Sequence, residues 1–292
     1  MEPFLIGMMI LCYTAQSLLC RKYAEHYPGK PELSSPVFTV VSGLIVAAAS
    51  VILSGANLHA QPLTILFGIV NALALFGYNV CLIRASQTGS YSILMVFSIA
   101  GGILIPTAFA TLLFDDDISV PRLAAIFVIL LSVFLVSRKP DERTGGRRGF
   151  YFFCTGLGLF NGFYGTLLDV QQRITGAEEK EAMVALTYLA AALLAVVFLT
   201  IRTRGHIAGA MRQTPRSAFY LLSCSVTVAG AIHLLAFLIS AVDISMLYTF
   251  DNAGVFCLSM LASCVFFRER LTKWNVIGCI LMCAALVCVS LF

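Results

Sequence analysis

The chain has 292 residues, of which 59% are hydrophobic and 12% are charged, and its formal net charge is +4. Soluble domains carry about 25% charged residues, so this deficit predicts that most of the surface faces lipid. No basic run is interleaved with aromatic side chains, so we expect no nucleic acid among the partners.

Apolar runs of about the length that spans a bilayer as a helix follow one another along the whole chain. The first run begins almost at Met1, has no basic n-region and no A-x-A site, and precedes Arg21 and Lys22. We therefore expect a first spanning helix and no signal peptide. The ten runs cover residues 3–20, 36–54, 62–83, 90–113, 119–136, 150–171, 182–201, 217–240, 244–267 and 272–292.

The most polar stretch, SRKPDERTGGRRG at 137–149, separates two halves of five runs each, 1–136 and 150–292. Sliding the chain by 153 residues places YSILMVFSIAGGILIPTAFATLLFDDDIS on ISMLYTFDNAGVFCLSMLASCVFFRERLT, so that Phe97 meets Phe250 and the two charged breaks coincide. Because five is odd, the second half would cross the membrane in the opposite sense. We predict an all-α membrane protein with ten transmembrane helices in two inverted five-helix repeats, as in many secondary transporters.

The distribution of basic residues predicts the orientation. The loops and helix ends that follow odd-numbered runs contain all of the 19 Lys and Arg residues except Arg122, Arg173 and Lys180. Basic loops are cytoplasmic, so both termini would lie outside. We expect a multi-pass integral membrane protein, in a bacterial plasma membrane.

The last run and the turn before it resemble a known family. VFFRERLTKWNVIGCILMCAALVCVSLF at 265–292 is similar to the drug/metabolite transporter superfamily of the ten-helix EamA-like type, with its Glu-Arg-Leu-Thr turn and an early glycine, here Gly278. LIRASQTGSYSILMVFS resembles the family's junction between helices 3 and 4, and the likeness covers nearly the whole chain. The family usually has a proline early in helices 4 and 9. This sequence departs from that pattern, since Pro106 comes late in the fourth run and the ninth run has no proline.

This resemblance implies a secondary transporter with a central cavity lined by both halves. It does not identify the substrate, because the family moves amino acids, sugars, nucleotide sugars, amines and drugs. Many members keep their termini in the cytoplasm, whereas the loop charges here favour the opposite orientation.

Asp251 lies inside the ninth run, and no charged residue follows it along the chain until Arg268. A charge at the bilayer centre costs about 2.5–3.5 kcal/mol on insertion scales, so such a residue normally faces a bundle interior or a wet cavity. His233 lies about as far before the short turn between runs eight and nine as Asp251 lies after it. At equal depth on adjacent helices, a contact between His233 and Asp251 is a hypothesis. Asp251 would pair with a cationic group of a substrate, carry a coupled proton, or only satisfy a neighbouring helix.

Further polar side chains at membrane depth are candidates for the same cavity. A single amide in a membrane helix is often only an interhelical hydrogen-bond partner, and the G-x-x-x-G of Gly158 and Gly162 indicates tight packing. Ser98 is the repeat position of Asp251, so an acidic site would be one-sided. The other candidates are Gln16, Tyr78, Asn79, Asn161, Tyr164, Tyr248 and Asn252.

No nucleophile motif, phosphate-binding glycine loop or metal-ligand spacing is present, so we predict no catalytic residue, cofactor or metal. The ten cysteines lie in apolar runs or at a run's end and behave as small hydrophobic residues. Without an ATP-binding segment, a transporter must use a gradient or exchange. We expect a secondary active transporter that moves a small polar or cationic organic metabolite by alternating access, with lipid, the substrate and, in one alternative, a coupled proton as partners.

Two other functions stay open. The first is a membrane-embedded enzyme in which His233 and Asp251 act as acid and base. The second is a non-transporting scaffold or receptor, which needs no buried carboxylate.

Overall fold

The computed structural model describes residues 2–55, 58–114, 120–137, 147–239, 244–268 and 272–291, and within these ranges the chain is helical, without a strand. A long helix lies at each of the predicted runs, and a 3₁₀ turn and one short helix are added to them. The helices are α1 (Glu2–His26), α2 (Pro31–Leu53), α3 (Pro62–Thr88), α4 (Tyr91–Phe114), α5 (Val120–Ser137), α6 (Arg147–Thr175), α7 (Lys180–Arg202), the short α8 (Ile207–Met211), α9 (Pro215–Ile239), α10 (Ile244–Phe266) and α11 (Lys273–Leu291).

Six helices in the described part of the chain are long and apolar enough to span a membrane, namely α1, α2, α3, α4, α7 and α9. Large apolar side chains on other helices also point outward, among them Phe127 and Phe134 on α5 and Leu261 and Val265 on α10. Such a surface is unfavourable in water. The chain is an all-α, multi-pass integral membrane protein. Most of the predicted linker 137–149 lies outside the described residues.

The helix ends follow from local backbone chemistry. Proline begins α2, α3 and α9, where its missing N–H costs no hydrogen bond. Gly176 follows α6 with φ 90°, and Gly205 follows α7 with φ 87°. This left-handed conformation ends a helix and favours glycine.

Several pairs of helices form extensive interfaces. The most extensive interfaces join α2 to α7, α1 to α9, and α6 to both α3 and α4. Further contacts join α5 to α11, α3 to α7, α2 to α9, α1 to α10, α4 to α5, α10 to α11 and α4 to α10.

Three pairs of helices begin at positions that are separated by the same 153 residues. These starts are Pro62 and Pro215, Tyr91 and Ile244, and Val120 and Lys273.

Glycine allows α4 and α6 to approach closely. A Cβ atom at Gly101 would overlap the backbone of Gly158, and one at Gly158 would lie 2.6 Å from the carbonyl oxygen of Phe97. A Cβ atom at Gly162 would overlap the Gly101 carbonyl oxygen. The G-x-x-x-G of α6 therefore lies at a tight helix–helix contact.

Candidate functional site

A cavity of about 170 Å³ lies among α1, α2, α3, α4, α6, α7, α9 and α10. Its wall includes positions from both halves of the chain that are separated by the same 153 residues as the helix starts. These pairs are Leu75 and Val228, Asn79 and Ile232, Ser98 and Asp251, Ile99 and Asn252, and Gly102 and Val255.

The structure brings most of the sequence-predicted site residues to this one cavity. His233 is not among the lining residues, although its neighbour Ile232 is, and the side chain of Tyr248 lies outside the described part. The predicted residues that line the cavity are Gln16, Tyr78, Asn79, Ser98, Asn161, Tyr164, Asp251 and Asn252.

The sequence analysis did not single out the contribution of α2 and α7. Phe38 on α2 and Tyr188 on α7 both line the cavity. A usable signal was present in α2, where Ser35, Thr39 and Ser42 recur at helical spacing and are all buried. For Tyr188, a lone tyrosine in an alanine- and leucine-rich run, the only signal was its polar hydroxyl.

Two of the cavity amides are held by other protein groups. Asn79 Nδ2 donates a hydrogen bond to Thr39 Oγ1 at 3.1 Å, and Asn161 Nδ2 donates to the carbonyl oxygen of Ser98 at 2.9 Å. These bonds connect α3 to α2 and α6 to α4. The two side chains therefore have fixed orientations in the cavity wall.

Two acceptor atoms in the wall have no such partner. Asp251 Oδ1 and Gln16 Oε1 are buried and make no hydrogen bond within the described part of the chain. A buried acceptor without a partner costs about 1–3 kcal/mol, so both atoms favour a bound donor or water. Among the lining residues that the structure describes, Asp251 is also the only one with a charged side chain.

On the side of the cavity where Ser17 lies, α1, α4 and α10 contact one another. Tyr91 is fully buried, and its hydroxyl lies within hydrogen-bond distance of Ser17 Oγ and 3.5 Å from Ser259 Oγ. Beyond it, the Phe267 ring centroid is 5.4 Å from that of Tyr91, and the Arg21 guanidinium carbon lies 3.8 Å from the Phe267 centroid. We call Ser17, Tyr91, Ser259, Phe267 and Arg21 the closed end.

His233 faces α7 and not the cavity. Its Nδ1 lies 3.1 Å from Glu181 Oε2, although neither ring nitrogen makes a hydrogen bond of good geometry within the described chain. Nearby, Lys180 Nζ donates to the carbonyl oxygen of Ala236 at 2.9 Å. The structure thus pairs His233 with Glu181 and brings no imidazole to Asp251.

Comparisons with known proteins identify a similar fold. No family model matches the chain, and no curated protein matches it. A solved structure described only as a crystal structure of a protein aligns over 99% of this chain and 97% of its own, with a TM-score of 0.67 and 16% sequence identity. At that identity the similarity concerns the fold alone. The arrangement of helices is therefore one that a solved structure shares over nearly its full length.

Proposed function

We propose that this protein is a secondary active transporter that moves a small polar or cationic organic metabolite across the membrane by alternating access. The observation that supports this best is the cavity itself. It lies inside a membrane-embedded bundle, and both halves of the chain line it at corresponding positions. Its wall includes the carboxylate of Asp251, which is costly at membrane depth unless it has a function or a partner.

The proposal includes ten spans in two inverted repeats. The constant separation of three helix pairs supports it, because α3, α4 and α5 then correspond to α9, α10 and α11. The contacts support it as well. If α1 corresponds to α6 and α2 to α7, the α1–α9 contact corresponds to α3–α6, and α1–α10 corresponds to α4–α6. The α2–α7, α4–α10 and α5–α11 contacts would then each join equivalent helices across a pseudo-two-fold axis.

The proposed family is the EamA-like branch of the drug/metabolite transporters, and the proposed location is a bacterial plasma membrane. The resemblance at 265–292 and the central cavity support the family. The basic loops favour an orientation in which Arg21 and Arg268 face the cytoplasm. The closed end would then face the cytoplasm as well.

Flux measurements with the purified chain in liposomes test the function. We expect an accumulated solute to exchange across the membrane without chemical change, and Asp251→Asn to abolish this exchange. A chemically altered solute would support the enzyme alternative, and neither flux nor product would support a scaffold. The placement of His233 beside Glu181 removes the main sequence argument for the enzyme, which needed His233 next to Asp251.

A further inference from the structure

The charge of the cavity limits what it can bind. Asp251 is the one charged side chain among the described lining residues. Two basic groups on neighbouring helices are engaged elsewhere, since His233 lies against Glu181 and Lys180 donates to the carbonyl oxygen of Ala236. A buried carboxylate either takes up a proton or, while ionised, needs a counter-charge. A bound cation supplies one, whereas a bound carboxylate or phosphate would add a second negative charge.

The hydrogen-bonding groups point to the same kind of ligand. Asn79 and Asn161 each already donate one N–H to a protein acceptor. The atoms left without a partner, Asp251 Oδ1 and Gln16 Oε1, are both acceptors. A ligand that satisfies them must therefore present N–H or O–H donors. An ammonium, amidinium or guanidinium group presents several donors and the positive charge together.

The aromatic lining and the volume of the cavity limit the size and shape of the ligand. Aromatic rings line the cavity, and a cation within about 6 Å of such a ring is attracted by its π-face. A cavity of about 150 Å³ holds benzene, so the 170 Å³ here accommodates roughly a single ring or a short branched chain. The aromatic lining residues are Tyr13, Phe38, Tyr78, Tyr164 and Tyr188.

We propose that this cavity takes a compact organic monocation whose N–H groups pair with Asp251 and Gln16, and that it rejects anions and zwitterions. The rejection follows because a zwitterion would bring a carboxylate into a wall with no described cation. The inference rests on the proposed transport function for its biological meaning. Binding itself is measurable without any transport.

Three nearly isosteric probes test the proposal on the purified full-length chain: benzamidinium, benzamide and benzoate. They are planar and differ mainly in charge. We expect isothermal titration to give benzamidinium an affinity about 10- to 100-fold above that of benzamide, as a charge-assisted hydrogen bond of 1.5–3 kcal/mol implies, and benzoate no binding. Equal affinities for the three, or a preference for benzoate, would overturn the proposal.

Variants locate the binding. Asp251→Asn should lower the benzamidinium affinity by about 10- to 100-fold and leave that of benzamide unchanged, and Gln16→Met should lower it by roughly 2- to 10-fold. Glu181→Gln is the matched control, because it removes a carboxylate outside the cavity, and we expect no change. An unchanged affinity in Asp251→Asn would refute the assignment. If that variant does not fold, the three-probe comparison on the unaltered chain still decides.

Flux in liposomes separates this inference from the proposed function. If benzamidinium binds as expected and no solute crosses, transport fails and the ligand class stands. If an anion or zwitterion crosses and its flux is unaffected by Asp251→Asn, transport stands and the ligand class is wrong.

Discussion

His233 Nδ1 on α9 lies 3.1 Å from Glu181 Oε2 on α7, in a contact that lies beside the cavity and contributes nothing to its wall. The two side chains are largely buried, with 11% and 22% of their surfaces exposed. The contact joins α7 to α9, two helices that do not form one of the main interfaces. It is therefore a structural connection between two helices that both line the cavity.

We predict that His233→Gln lowers stability and leaves ligand affinity unchanged. The substitution leaves the Glu181 carboxylate without its partner, which should cost about 1–3 kcal/mol of unfolding free energy. Thermal unfolding in detergent measures this. The double variant with Glu181→Gln should lose less than the sum of the single losses, because no unpaired charge remains. A tenfold fall in benzamidinium affinity with unchanged stability would instead place His233 in the site.

The carboxylate of Glu179 anchors the start of α7 to α3. It accepts hydrogen bonds from the Thr64 hydroxyl and, at 3.1 Å, from the backbone N–H of Gln61. Gln171 extends the cluster from α6 by donating to Thr64 at 3.3 Å. The Thr64 hydrogen bond, followed by that of Gln61, holds the pKa of Glu179 below its usual value.

We predict that Glu179→Gln destabilises the protein at neutral pH. A lowered pKa in the folded state means that the ionised form stabilises the fold above the unfolded pKa of about 4.3. This contribution is lost as pH falls through the folded pKa, so the stabilities of variant and wild type should converge there. Unfolding followed between pH 7 and roughly pH 3 measures the convergence. The control is Glu178→Gln, since Glu178 is exposed, and a constant difference at all pH values would contradict the prediction.

The contact between α4 and α6 is sensitive to a single methyl group. Gly101→Ala would place Cβ against the backbone of Gly158, and a backbone cannot move aside as a flexible side chain can. We expect a loss of about 1–3 kcal/mol of unfolding free energy, typical of overpacking. Gly7→Ala on α1 is the control, because nothing lies within 4 Å of its Cβ position. Equal stabilities for the two variants would show that α4 and α6 separate without cost.

Hydropathy and repeat spacing are sufficient to predict the helices, because lipid requires long apolar segments with internally satisfied backbones. The 153-residue offset found from Phe97 and Phe250 also equals the separation between the starts of α3 and α9, of α4 and α10, and of α5 and α11. The same alignment pairs Ser98 with Asp251, and both line the cavity. These features depend on distance along the chain, which a sequence states directly.

Helix rotation cannot be read in this way. Successive residues on a helix are turned by about 100°, so Ile232 lines the cavity while His233 beside it faces α7. The prediction that His233 contacts Asp251 rested on their equal depth and not on the rotation of the two helices. Phe38 and Tyr188 were not predicted for a different reason, since Phe38 has no polar group and Tyr188 is a lone tyrosine in an alanine- and leucine-rich run.

The orientation of the bundle is testable at two histidines in loops between helices. His206 precedes α8 and His59 precedes α3, and both are exposed. In a cysteine-free variant, His206→Cys should resist an impermeant thiol reagent in intact cells, whereas His59→Cys should react. A cysteine placed within 137–149 should resist it as His206→Cys does. The reverse pattern would place both termini in the cytoplasm, as many members of the resembled family have them.

The last prediction concerns the hydroxyl of Tyr91 at the closed end. Tyr91→Phe keeps the ring that packs on Phe267 and removes the oxygen between Ser17 and Ser259. A neutral hydrogen bond contributes about 0.5–1.5 kcal/mol, so the closed end should open roughly 2- to 10-fold more often. The measurement uses Ser98→Cys in a chain without other cysteines. The rate at which a thiol reagent labels this cysteine from the side on which Arg21 lies reports how often the closed end opens.

Ser98 is a suitable reporter because it lines the cavity, and its bond to Asn161 uses the backbone carbonyl, which cysteine retains. Tyr220→Phe is the matched control. Tyr220 lies outside the closed end, with its ring 5.2 Å from that of His26, so the labelling rate should not change. Faster labelling in Tyr91→Phe alone would identify this hydroxyl as the part that holds the cavity shut from the Arg21 side. An equal rate in both variants would show that the packing of Phe267 and Arg21 keeps the end closed without it.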